Sequence, residues 1–254
     1  MAQSGKRGTE VLERGEILFF YRPRVEEENP SGLRDVQRFH VVLRPDRGGK
    51  LRLLVLGRKR LPAVGAHERV WGFVDLVTDD AAALERSLRG EEYATKTRGE
   101  RHQSAARPAG AGVYVVSLEE GRMHLSYALG LPARPAEVQQ AFDIAPEASY
   151  ALSVKNPKAG LSRGAGLPQA EQADFPEELQ REFRGRRFAA EDMRLLDVEG
   201  AEFILVGAHE DPERAYGLDL DTSRGERHRT EIDRELRDLL SRYPTEPLFK
   251  GRWD

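Results

Sequence analysis

Residues 122–131 read RMHLSYALGL. Met123, Leu125, Tyr127 and Leu129 alternate there with His124, Ser126 and Ala128. That is the period of a β-strand with one buried face. The pattern constrains the fold more than any other feature, because it recurs. RFHVVLR (38–44) and KLRLLVLG (50–57) flank PDRGG, which has turn chemistry, so the three read as a hairpin. Phe39, Val41 and Leu43 share one face of its first strand. In the second, Leu51, Leu53 and Val55 share a face while Leu54 and Leu56 point the other way. A strand apolar on both faces lies inside a sheet or under a cover.

More strands follow from EILFFYR (16–22), RVWGFVDLVT (69–78), the hairpin AGVYVVSLEEGRMHLSYALGLP (111–132), SYALSVKN (149–156) and AEFILVGA (201–208). Helical signals are fewer. DDAAALERSLRG (79–90) offers Asp79 or Asp80 as N-cap, Arg86 and Arg89 in its last turns, and Gly90 for a left-handed stop. FPEELQREFRGRRF (175–188) reads as a short helix with Leu179 and Phe183 on one face. RGERHRTEIDRELRDLLSRY (224–243) carries the clearest apolar stripe, Ile232, Leu236, Leu239 and Leu240. The expected class is α+β: an extensive, mostly antiparallel sheet with few helices, plus a smaller acidic α+β C-terminal part. The expected boundaries are a tail at 1–14, a sheet-rich domain at 15–156, a Gly/Pro-rich linker at 157–174, and a second part at 175–254 packed on the first.

Composition narrows the chemistry. With 33% charged and 39% hydrophobic residues, the 254-residue chain reads as soluble and globular. It has no cysteine, which excludes disulfides, thiolate catalysis, zinc–cysteine sites and iron–sulfur clusters. No apolar run approaches the ~20 residues of a membrane helix. The first residues lack an apolar signal-peptide core, so the expected location is cytoplasmic. GAG at 110–112 precedes a strand, whereas a dinucleotide loop follows one, and no GxxxxGK loop is present. GLSRG (160–164) has the form of a hydrolase nucleophile elbow around Ser162, but Pro157 before it and GAGLP after it deny the strand–turn–helix context. The six histidines show no metal-ligand spacing. His40 reads as a hydrogen-bonded buried histidine, His124 as a solvated one, and HED (209–211) as a polar loop. Neither metal nor cofactor is expected.

Residues 1–165 carry a net charge of +5 and residues 166–254 a net charge of −8. Three basic segments stand out: GRKR (57–60), TKTRGERHQSAAR (95–107) and VKNPKAGLSR (154–163). Brought together on one face, they would hold a phosphate or polyanion. The candidate contacts are Arg58, Lys59, Arg60, Lys96, Arg98, Arg101 and His102. Thr95 and Thr97 would add hydrogen bonds, and Trp71 and Tyr93 a stacking surface for bases. The leading expectation is therefore non-enzymatic binding of an anionic ligand, nucleic acid or a phosphorylated molecule. In a second reading these cations pair internally with carboxylates such as Glu91, Glu92 and Glu100, and the C-terminal helix at 226–243 meets a protein partner. In a third, Glu92 and His102 act as acid and base around a substrate anchored by Arg98 and Arg101.

GEILFFYRPRVEEE, DVQRFHVVLRP, WGFVDLVT, GEEYATKTRGERHQ, GAGVYVV, VKNP and LLDVEGAEFILVGA resemble, in this order, segments of a family of uncharacterised bacterial and plant proteins. The resemblance runs from about residue 15 to about 220. Its most specific block, GEEYxTKTRG, is complete at Gly90, Glu91, Glu92, Tyr93, Thr95, Lys96, Thr97, Arg98 and Gly99. The family brings no activity, ligand or fold. The resemblance implies that residues 90–103 are more than a loop and that 157–174 joins two parts of one domain. The helix at 226–243 lies outside it.

Overall fold

The structure, a computed structural model, describes residues 9–46, 48–95, 99–159, 166–220 and 245–253. The strands expected from the alternating runs are present. They are β1 (Glu10–Pro23), β2 (Val36–Pro45), β3 (Leu51–Leu56) and β4 (Arg69–Thr78). A ribbon follows, β5 (Glu91–Thr95) and β6 (Gly99–Gln103). The rest are β7 (Arg107–Glu119), β8 (Arg122–Leu131), β9 (Glu147–Lys155), the two-residue β10 (Phe188–Ala189) and β11 (Glu202–Gly207). Among the described residues the helices are short: α1 (Ala81–Leu88), α2 (Glu137–Ala141), α3 (Glu177–Glu182), α4 (Pro212–Tyr216) and α5 (Glu246–Phe249).

The sheet is closed, which corrects the α+β expectation. Its order is β9-β11-β4-β3-β2-β1-β7-β8, and β8 pairs again with β9, so eight antiparallel strands form a barrel. The C-terminal section is likewise no separate α+β part. β11 sits between β4 and β9, with Phe203 opposite Gly72 on one side and Val154 on the other. Closure removes the unpaired edges of an open sheet.

Two-sided strands now have a cause. Leu54 and Leu56 face the barrel interior with Ile17, Phe19, Tyr21 and Phe39, all buried. Leu53 faces outward and packs with Leu18, Phe20 and Val42 beneath Leu84 and Leu88 of α1. The interior is filled rather than hollow. Phe19 meets Tyr127 edge-on at 5.2 Å, and Phe142 stacks on Phe39 at 4.8 Å. Phe142 follows α2, so this short helix plugs the barrel end that carries Tyr21 and Phe39, joined by Trp253 at 5.4 Å from Tyr21. The opposite end is closed by Leu195, Leu196 and Phe183. Gly112 lies inside β7 because a Cβ there would come within 2.1 Å of the Ala128 carbonyl oxygen.

The start of α1 matches its sequence signal: Asp80 accepts from the Ala82 amide at 2.9 Å. Its stop does not. Arg89 turns extended and Gly90 is not left-handed. Gly90 is required instead because a Cβ would meet the Gln103 carbonyl oxygen at 2.7 Å. The helix end is satisfied by buried Arg22, whose guanidinium donates to the carbonyls of Ser87, Arg89 and Ser104. The short α3 buries Leu179 and is followed by buried Phe183, as their spacing predicts. Residues 221–244, with the expected helix at 224–243, lie outside the described residues.

Candidate functional site

The block at 90–103 is a two-stranded ribbon, with Glu92 opposite His102 and Tyr93 opposite Arg101. Its root is fastened to the chain leaving β1. The Glu26 amide donates to the His102 carbonyl at 2.9 Å, and the His102 amide donates to the Glu26 carboxylate at 3.1 Å. The Gln103 side chain donates to the Pro23 carbonyl at 2.9 Å. Residues 96–98, and with them Lys96 and Arg98, lie outside the described residues, as does Ser162.

The GRKR turn after β3 reaches the same barrel end. Lys59 adopts φ +59°, uncommon for a residue with a side chain, and its ammonium donates to the Val36 carbonyl at 2.6 Å. Two of the three basic segments therefore meet the single connection between β1 and β2. The third, over its described residues 154–159, does not join them. Lys155 is buried across the barrel wall against Glu202, at 2.5 Å, and the Leu167 amide donates to the other oxygen of that carboxylate.

The cations differ in how far they are already neutralised. Arg58 and Arg60 both bind Glu68, and Arg60 also binds Asp143. These partners, the Arg60 hydrogen bond foremost, hold the Glu68 carboxyl at about 2. Arg101 stands 3.6 Å from Glu26, while His102 is exposed. Lys59 has a carbonyl and no carboxylate. Desolvation lowers its ammonium pKa, and Arg24 lowers it further. Arg24 and Arg38 are exposed, and neither side chain makes a hydrogen bond or ion pair. Arg38 lies opposite Arg22 in the β1–β2 register, a pairing of like charges. Asp75 feels Arg38 without bridging to it; desolvation raises its pKa, and Arg38 pulls the other way.

Sequence reasoning missed Arg24 and Arg38. Neither belongs to a basic run: strand register sets Arg38 opposite Arg22, and the turn after β1 brings Arg24 near Lys59. Trp71 is half-buried on the outer face, 6.0 Å from Phe188, and Tyr93 is exposed on the ribbon. Glu92 and His102 are also exposed, on a ribbon rather than in a cleft.

Two histidines depart from expectation. His124 is partly covered by α4, its Nδ1 2.9 Å from the Tyr216 hydroxyl, and burial lowers its pKa to about 4. His40 is 1% exposed, yet neither ring nitrogen has a partner. Burial, then Arg22 and Arg38, lower its pKa to about 3. The unfolded chain binds this proton near 6.5, so the contribution of His40 to stability is whole above that pH and lost as pH falls toward 3. Between about pH 7 and about pH 5 the loss is about 2 kcal/mol. Urea unfolding at both pH values checks this, and His40→Leu is expected to remove that share of the difference.

Among the described residues, no helix is long and apolar enough to cross a membrane, and no group of three His, Asp or Glu is placed to hold a metal ion. No protein-family model, curated protein or solved structure matches the chain.

Proposed function

We propose that this protein is a non-catalytic binding module that holds an anionic ligand, nucleic acid or a phosphorylated molecule, at the barrel edge around the β1–β2 connection. The observation that carries this reading is the position of Lys59: it faces Arg24, takes no carboxylate partner, and keeps a strained backbone. Uncommon backbone geometry held by its surroundings is a feature of binding sites. Arg38 adds a guanidinium free to fork onto a phosphate. Arg101 and His102 border the edge from the ribbon, and Lys96 and Arg98 belong to the same block of sequence.

Heparin–agarose retention tests it. Arg38→Ala and Lys59→Ala are each expected to elute at lower salt than the parent, whereas Arg58→Ala, already paired with Glu68, is expected to shift little. Equal elution of all four proteins counts against the reading.

A second reading has its own observation. Arg60 joins Glu68 to Asp143, clasping the β3–β4 turn to the segment after α2. For Arg58 and Arg60 the internal pairing explains their presence without a ligand.

A further inference from the structure

On another side of the same barrel end lies a groove of about 850 Å³. Pro62, Val64, Ile144 and Pro146 give it an apolar lining, stiffened by the two prolines. Its charged residues are Asp143, Glu147, Glu210 and Asp211, with no basic residue among the lining. Asp143 is engaged by Arg60, and Asp211 caps α4 through the Arg214 amide. Glu147 and Glu210 make no side-chain hydrogen bond or ion pair. Desolvation, then the nearby charges of Glu213 and Asp211, raise the Glu147 pKa.

We propose that this groove docks a basic peptide segment of a partner protein. Lysine or arginine side chains would meet Glu147 and Glu210, and aliphatic neighbours would lie on Val64 and Pro146. Charge complementarity selects a cationic occupant. The volume suits a ligand of several residues rather than one ion. An apolar floor beside the carboxylates favours a peptide over a polyamine, whose short methylene runs are each flanked by hydrated ammonium groups.

The test uses the full chain and a fluorescein-labelled hexapeptide of alternating arginine and leucine, followed by anisotropy at low salt. The expected result is saturable binding, absent for the glutamate–leucine counterpart and resistant to excess spermidine. Glu147→Gln with Glu210→Gln is expected to weaken it about tenfold. Gly65→Lys is expected to weaken it as much. A Cβ at Gly65 meets only the Glu210 carboxylate, at 3.4 Å, so the backbone there accepts a side chain. Arg38→Ala is expected to leave peptide affinity unchanged, which separates this groove from the cationic edge. Absence of saturable binding, unchanged affinity in both groove variants, or equal displacement by spermidine would overturn the proposal.

Discussion

Arg52→Ala is expected to cost the fold about 3–5 kcal/mol, read as a lower urea midpoint at neutral pH. Arg52 lies on β3 with its side chain 3% exposed at the barrel end opposite α2. It donates to Glu13 at 2.6 Å and to Asp197 at 2.8 Å, and the Tyr114 hydroxyl donates to the same Glu13 oxygen at 2.6 Å. One guanidinium thus ties β1, β3 and the turn that ends at Asp197, with β7 joined through Tyr114. Burial alone would lower the Arg52 pKa; Glu13 and Asp197 outweigh it and raise it. Burial, and the Glu13 charge, push the Tyr114 phenol far up. Removing the guanidinium leaves the two partly buried carboxylates of Glu13 and Asp197 without their shared cation. The cost comes from those orphaned charges rather than from the net worth of the bridges. Arg52→Met combined with Glu13→Gln and Asp197→Asn is therefore expected to regain much of the loss. If Arg52→Ala costs less than about 1 kcal/mol, this network does not hold the barrel end.

The strands were legible because residues such as Phe39, Val41 and Leu43 repeat with the pleat. Closure was not. A period of two assigns faces, but it cannot say that Ser126 on β8 meets Ser149 on β9, or that Ile204 meets Trp71 across a separation of more than a hundred residues. The acidic charge after residue 165 suggested a separate part, yet β11 is a buried stave whose Glu202 is neutralised by Lys155. The same blindness to register misplaced the histidines. His124 belongs to the polar side of its strand, but α4 covers that side, and His40 faces an outer layer that supplies no partner.

The candidate site was legible in part. The ribbon and the GRKR turn stood out as runs of charge, and both touch the β1–β2 connection. Which cations are neutralised was hidden, because Glu68 and Asp143 are assigned to Arg60 only by folding. Arg24 and Arg38 gave no local signal at all.

Replacing Arg24, Arg38 and Lys59 together with alanine is expected to lower the affinity for a single-stranded oligonucleotide roughly 100-fold at low salt. It should also reduce the log–log salt slope by about 2, since three phosphate contacts are lost at about 0.7 each. Stability should change little, because Arg24 and Arg38 are exposed and make no ion pair, and Lys59 gives up one hydrogen bond to a carbonyl. Anisotropy of a labelled oligonucleotide across a salt series, parent against triple variant, is the most direct measurement. Tight, steeply salt-dependent binding by the parent and a shallow, weak curve for the variant is the predicted result. A parent that fails to bind even at low salt, or two superimposable curves, would contradict the cationic edge as the working surface of this barrel.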